Sequence, residues 1–394
     1  MIYRVVNEER MQQVRDLWDY CFEKKDEPFF QYYFDEYCGK NNMVIGAFEQ
    51  VNDWERLRSM VHINPYMLRI RGREELTPYL VGVATAPEAR GRHIFGPLLQ
   101  TAFEVLRSQN FSFVTLMPVF AGIYLPYGFS YCYYRHAYQL PLDALAFSAE
   151  EIDLNVEREA LQQELLGPLY ARLTAQWNGV PVRTDFQWHK LLIVHGLEQV
   201  QCAVVYRRQQ AVGYMLYKIA DERFTIIELL AENFAARKRL LLYAAMHKSS
   251  AKELYWLAEP WDKTYLEFKD QALTGSLQPF MMARCIDARS ALAKLIVPQD
   301  MPESSVVLLL TDKIIDRNNH LLKLKTAPGS LEAVSTLDAE EVTMDMGAFT
   351  QLYMGAFSAA ELWEAGRLKA AVPEKLELLD RLFPKCRNYN NEYF

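Results

Sequence analysis

At 394 residues the chain is long enough for two to four domains of about 100–200 residues each. It is 51% hydrophobic and 24% charged, which suits compact protein and excludes wholesale disorder and low-complexity scaffolds. A net charge of −7 gives no general attraction for phosphate backbones, so no nucleic-acid partner is expected. No run approaches the roughly 18 apolar residues of a membrane-spanning helix. The opening MIYRVVNEERMQQ turns charged before an apolar signal region can form, so no signal peptide is expected, and no membrane partner either. Six cysteines (Cys21, Cys38, Cys132, Cys202, Cys285, Cys386) stand singly, with no C-x-x-C pair. That argues against metal and disulfide frameworks and for a reducing cytoplasm. The seven histidines are dispersed as well, and no metal site is expected.

Along the chain, Asn7 is placed to cap a helix with Met11, Val14, Leu17, Trp18 and Cys21 on its apolar face. A run of acids and aromatics follows: Asp26, Glu27, Phe29, Phe30, Tyr32, Tyr33, Phe34, Asp35 and Glu36. Acids among aromatics suit a cationic, polyamine-like substrate, which makes Asp26, Glu27, Phe30 and Phe34 candidate contacts. An ordinary amphipathic helix accounts for the same pattern. Residues 43–48 read as a strand, and 60–72 as another, interrupted at Asn64-Pro65. Residues 79–84 form a nearly continuous apolar strand of the kind buried on both faces. A helix with Ile94, Leu98, Ala102 and Val105 on one stripe leads to a strand at 111–117. This β-α-β order implies an α/β fold with a mixed or parallel sheet.

Residues 141–147 read as a link, and Ser148 with Glu151 as a capping box. Helices are expected at 165–177 and 184–196, then a hairpin at 200–206 and 211–219. A strand (224–230), a helix (235–248) and a strand (253–258) then repeat the order of the first segment, as a diverged second copy. From about Asp287 four short strands (305–310, 321–325, 332–336, 342–346) precede helical stretches at 347–354, 359–365 and 373–382. That order suggests a small α+β domain. A polar and aromatic tail, 388–394, closes the chain.

The chemically informative run is Val83-Ala84-Thr85-Ala86-Pro87-Glu88-Ala89-Arg90-Gly91-Arg92-His93-Ile94-Phe95-Gly96. It joins a buried strand to a helix through a turn rich in arginine and glycine. Backbone N–H groups at a helix start are unpaired, and the helix dipole favours an anion there. Arginine adds charge-assisted hydrogen bonds, so a pyrophosphate is a natural occupant. A solvated basic helix cap explains the same residues, and spacing alone does not choose.

The run resembles the acetyl-CoA motif of the GCN5-related N-acetyltransferases (GNATs). The resemblance implies that the pantetheine arm pairs with Val83, Ala84 and Thr85, and that the pyrophosphate rests on Arg90, Gly91, Arg92, His93, Ile94, Phe95 and Gly96. His93 stands where that family usually has glycine, and Phe95 where it usually has a small residue. Further on, the I-Y-x-x-x-G-F pattern of Ile123-Tyr124…Gly128-Phe129 resembles the catalytic-tyrosine segment of the enhanced intracellular survival (Eis) acetyltransferases. Leu379-Asp380-Arg381-Leu382-Phe383-Pro384, Tyr389 and Glu392-Tyr393-Phe394 are similar to that family's C-terminal signature. The implied organisation is tandem GNAT domains at 1–143 and 144–286, the second degenerate, then a sterol-carrier-protein-2-like domain at 287–394. The resemblance also implies acetyl-CoA as co-substrate, amine acceptors such as aminoglycosides, polyamines or lysine side chains, and hexamers built as dimers of trimers.

Acetyl transfer needs a neutral amine, a stabilised oxyanion and a proton for the leaving thiolate. Tyr124 is the candidate acid. A packing role in a very aromatic stretch is its bland alternative. The resemblance implies that the base is the α-carboxylate of Phe394, brought into the active site by the tail together with Glu392. In the second copy the equivalent turn, residues 230–239, contains no glycine, so no cofactor is expected there. Residues 237–239 read as a solvated basic helix face. The rival function is a non-catalytic binding protein holding an apolar ligand in the sterol-carrier-like domain.

Overall fold

Strands β1 (Ile2–Val5), β2 (Met43–Val51), β3 (Trp54–Ile70) and β4 (Arg73–Thr85) form an antiparallel meander. β5 (Phe113–Leu116) joins β4 in parallel after the crossover helix Phe95–Ser108. The strand Met282–Cys285 then lies between β5 and β6 (Ser130–Tyr131), antiparallel to both. The computed structural model describes residues 1–145, 153–270, 272 and 275–392. The capping box expected at Ser148 and Glu151 lies outside these residues.

Helix α1 (Met11–Cys21) buries Val14, Leu17 and Trp18 on the expected face, although the side chain of Asn7 makes no cap bond. A 3-10 turn at Glu8–Arg10 leads into it instead. Helix α2 (Pro28–Tyr32) runs on into a wider π turn, Tyr33–Tyr37, in which Cys38 N–H reaches Tyr33 O. The wider turn aims Tyr33, Phe34 and Tyr37 together into the core. Helix α3 (Phe95–Ser108) buries Leu98, Leu99, Ala102, Phe103 and Leu106. Each of the leucines and Phe103 contributes roughly 1.5–3 kcal/mol of burial.

The interruption expected at Asn64-Pro65 does not occur, since β3 runs unbroken through it. Pro65 stands opposite Pro78, and neither proline has an N–H, so this pair exchanges no ladder bond.

The chain folds as two compact units, Met1–Tyr133 with Phe280–Phe394, and Tyr134–Pro279. Strand Tyr134–Pro141 belongs to the sheet of the second unit, and Met282–Cys285 to that of the first. The second unit's sheet runs in the order 276–279, 134–141, 253–258, 223–231, 210–220, 201–207 and 154–159. Its parallel pair, Arg223–Ala231 with Glu253–Ala258, flanks the crossover helix Phe234–Ala245. That repeats the β4–α3–β5 arrangement.

Within the first unit the C-terminal segment builds a five-stranded sheet with Ser304–Thr311 at its centre. The strand Leu368–Ala370 completes its edge. The inward side chains Val306, Leu308, Leu322, Leu324 and Phe349 share one core with Tyr66, Leu68 and Tyr79 of β3 and β4. From Asn388 to Glu392 the tail is buried, and Asn388 Nδ2 donates to Cys132 O at 3.0 Å. Among the described residues no helix is long and apolar enough to cross a membrane, and no His/Cys/Asp/Glu group is placed to hold a metal ion.

Candidate active site

The site begins at a fault in β4. Met60 pairs with Ala84 and His62 with Val81, so one residue of β3, Val61, faces two of β4. The extra residue makes a bulge at Gly82, whose φ is +57. A Cβ there would overlap the indole of Trp18 and come within 3.1 Å of His62 Cδ2. Only glycine meets both demands. The parallel pairing of β4 with β5 stops at Leu80 and Leu116, just before the bulge. From there the two strands part, and among the described residues no strand pairs with Val83, Ala84 and Thr85 on that side. An extended amide-bearing arm fits such an opening as an added strand.

The open edge leads into the turn. Pro87–Ala89 is a short 3-10 segment, Gly91 has φ +73 and His93 has φ +54. His93 therefore adopts the left-handed backbone in which glycine is at home, with its side chain exposed. Among the described residues the N–H groups of 91–96 donate to no acceptor, and helix α3 has no side-chain cap. These free donors sit at the positive end of a helix dipole and fit a phosphate group. Arg90 is exposed and donates through Nε to Thr85 O at 3.2 Å. Arg92 is exposed too, and both its terminal nitrogens bond the carboxylate of Glu49. Glu49 also accepts from Arg58 Nε at 2.8 Å. Hydrogen bonds from Arg92, and then Arg58, hold the Glu49 carboxyl down at about 2, against desolvation.

Ile94 is buried, while Phe95 and Gly96 are half-buried. The Phe95 ring stands edge-on to Tyr124 at 5.8 Å and to Tyr127 at 5.2 Å. A Cβ at Gly96 would lie 2.9 Å from the Tyr127 hydroxyl. Tyr124 sits between two 3-10 turns, Ala121–Ile123 and Leu125–Tyr127, the second closed by Gly128 with φ +78. Its ring is buried, and its hydroxyl has no hydrogen-bond partner among the described residues. Burial raises its pKa, which keeps the phenol protonated at neutral pH.

The acceptor-side candidates are dispersed. Asp26 and Glu27 are exposed, whereas Phe30 and Phe34 are core residues at 2% and 4% exposure. Arg15 stacks over both of those rings. Glu392 is buried, and its charge adds to desolvation in raising the pKa values of Tyr37 and Tyr66. Phe394 lies outside the described residues.

From the sequence no site role is read for Gly82 or Glu49, and Trp18 is read only as part of a helix face. A glycine inside an otherwise apolar strand is the available signal for the first. Nothing local marks Glu49 as a partner of Arg92. One expectation is corrected outright, because residues 237–239 are not a solvated face. Arg237 binds Glu259 at 2.6 Å and also Asp262, and both acids are buried. Asn233 caps the helix by accepting from Ala236 N–H at 3.0 Å. The second copy thus fills its own helix start with carboxylates and a cap, where the first leaves free N–H groups.

Family models agree with this architecture. Residues 2–132 and 179–285 each match an acetyltransferase (GNAT) domain, and residues 288–391 match a sterol carrier protein domain. The chain is an acyltransferase built from two GNAT domains and a sterol-carrier-like domain. Among solved structures, a probable N-acyltransferase from Enterococcus faecalis V583 aligns over 100% of this chain and 99% of its own. Its TM-score is 0.87 at 19% identity. A GCN5-related N-acetyltransferase from Anabaena variabilis aligns over the full length of both chains, with a TM-score of 0.84 at 19% identity. Eis1 from Mycobacterium abscessus also aligns over both full lengths, with a TM-score of 0.79 at 16% identity. The chain shares its fold with Eis1 and these GNAT proteins. No curated protein matches its sequence significantly.

Proposed function

We propose that this protein transfers the acetyl group of acetyl-CoA to a primary amine by direct attack on the thioester. The pantetheine arm pairs with Val83, Ala84 and Thr85. The diphosphate takes the free N–H groups of 91–96, with Arg90 and Arg92 as cationic partners. The amine attacks the thioester carbonyl, the C–S bond breaks, and Tyr124 donates its proton to the departing thiolate sulfur. The observation that carries this reading is the 5.8 Å contact between Tyr124 and Phe95, which sets an unbonded phenol beside the anion turn.

The base is the α-carboxylate of Phe394, ionised at neutral pH. Supporting this is the burial of the preceding tail through Glu392. The acceptor is an aminoglycoside-, polyamine- or lysine-like amine, with Glu392 as its anionic contact. Phe30 and Phe34 are buried in the core and do not touch the substrate in this reading. The apolar-ligand alternative has less support, because the inward side chains of the C-terminal sheet are spent on a shared core with β3 and β4.

The test is to titrate purified protein with acetyl-CoA and follow thiol release against a panel of amines. Saturable binding with amine-dependent release is expected. Failure to bind at millimolar acetyl-CoA ends the enzymatic reading.

A further inference from the structure

Arg284 occupies the point where three parts of the first unit meet. Its strand pairs with β5, Arg284 opposite Val114, and with β6 through Met282 and Ala283. The side chain is fully buried, at 0% exposure. Nη2 donates to both carboxylate oxygens of Asp312, at 2.9 and 2.7 Å. Asp312 belongs to the C-terminal domain and is itself fixed by Ile314 N–H, Ile315 N–H and Asn318 Nδ2. The guanidinium carbon lies 4.9 Å from the ring centre of Phe103, on the helix that starts at the anion turn. Nη1 lies against Gly128, which closes the turn after Tyr124, and a Cβ at that position would overlap it.

This is a costly way to gain stability. Among the described residues Nε and Nη1 are buried without a hydrogen-bond partner. A buried ion pair is often no better than apolar residues of the same volume. Buried donors left unpaired call for another reason to be there. Here one rigid planar group touches Gly128, Phe103 and Asp312 at once. Phe129, next to Gly128, lies tilted to Phe103 at 6.0 Å and edge-on to Tyr124 at 5.9 Å.

We propose that Arg284 is a positioning residue for acetyl transfer. Through Gly128 and Phe129 it holds Tyr124 at the anion turn, and through Asp312 it makes that position depend on the C-terminal domain. The inference rests on the acetyltransferase reading above and adds a residue that touches neither donor nor acceptor. A displacement of about 1 Å at a reacting group costs on the order of a hundredfold in rate, so a support of this kind is visible in turnover.

The test is a cycle of variants. Arg284→Met with Asp312→Leu removes both charges at similar volume and leaves no lone buried charge. The pair is made in the native background and with Tyr124→Phe, and kcat, KM for acetyl-CoA and the thermal midpoint are measured. The pair variant should lose at least about tenfold in kcat, with KM within about twofold. With Tyr124→Phe it should add no further loss, because both changes remove one function. Native kcat in the pair variant, or losses that multiply fully, overturns the inference. The Tyr124→Phe single variant tests the parent reading separately, since native kcat there removes the acid that Arg284 is held to support. If the pair variant does not fold, Arg284→Lys keeps a charge beside Asp312 without the planar Nη1, and it must show the same kcat-selective, non-multiplying loss.

Discussion

Arg92, on the anion turn, gives both terminal nitrogens to Glu49, a residue 43 positions earlier on β2. The arginine is therefore already spoken for when a phosphate arrives, and binding has to exchange one anion for another. Glu49→Gln should raise acetyl-CoA affinity by about two- to fivefold, the scale of an exposed ion pair. Replacing both Arg90 and Arg92 by Gln should lower affinity by roughly tenfold or more through lost charge-assisted bonds. Calorimetric titration reads both. An affinity indifferent to all three changes would reduce the turn to a helix cap.

Tyr124→Phe removes one hydroxyl and keeps the ring contacts with Phe95 and Phe129. Turnover should fall about 10²–10⁴-fold, the range of a lost acid catalyst, with acetyl-CoA affinity unchanged. Steady-state kinetics with a saturating amine decide it. Native turnover would leave Tyr124 a packing residue.

Deleting Tyr393 and Phe394 removes the proposed carboxylate while leaving the buried tail through Glu392 in place. Acetyl-CoA binding should survive and turnover collapse, with part of it recovered at higher pH as more amine becomes neutral. Full activity in the shortened protein would move the base elsewhere.

Gly82→Ala asks a side chain to enter the left-handed region and to displace Trp18. A loss of about 1–3 kcal/mol in unfolding free energy is expected, together with weaker acetyl-CoA binding as the bulge flattens. Denaturant unfolding measures the first. Unchanged stability would mean that the bulge does not depend on glycine.

His62 is fully buried, with Nδ1 2.9 Å from the Tyr33 hydroxyl. Burial lowers its pKa from 6.5 to about 3. Between those values the unfolded chain binds a proton that the folded protein does not. The stability contributed by the neutral ring is complete above pH 6.5 and is lost as pH falls through that window, at up to about 1.4 kcal/mol per pH unit. His62→Gln should show a shallower loss between pH 7 and pH 4 than the native protein. Parallel curves for the two would sink this account.

What the sequence by itself determines is local. The strand, turn and helix around residues 79–105 are legible because apolar period, glycine and arginine all fall within about 25 positions, where backbone preference acts directly. The same holds for the repeat of that order at 223–258 and for the strands-then-helices texture after Asp287. Tertiary structure alone decided the rest. An apolar strand carries no label for its sheet, so the placement of Tyr134–Pro141 in one unit and Met282–Cys285 in the other follows from which edges are left to pair. Phe30 and Phe34 stand as candidate substrate contacts in the sequence, but α2 buries the first and the wider turn after it buries the second. Arg92 and Arg237 look alike in sequence. One stays exposed beside a single carboxylate and the other is drawn under two buried ones, because the acids that meet them come from distant strands and loops.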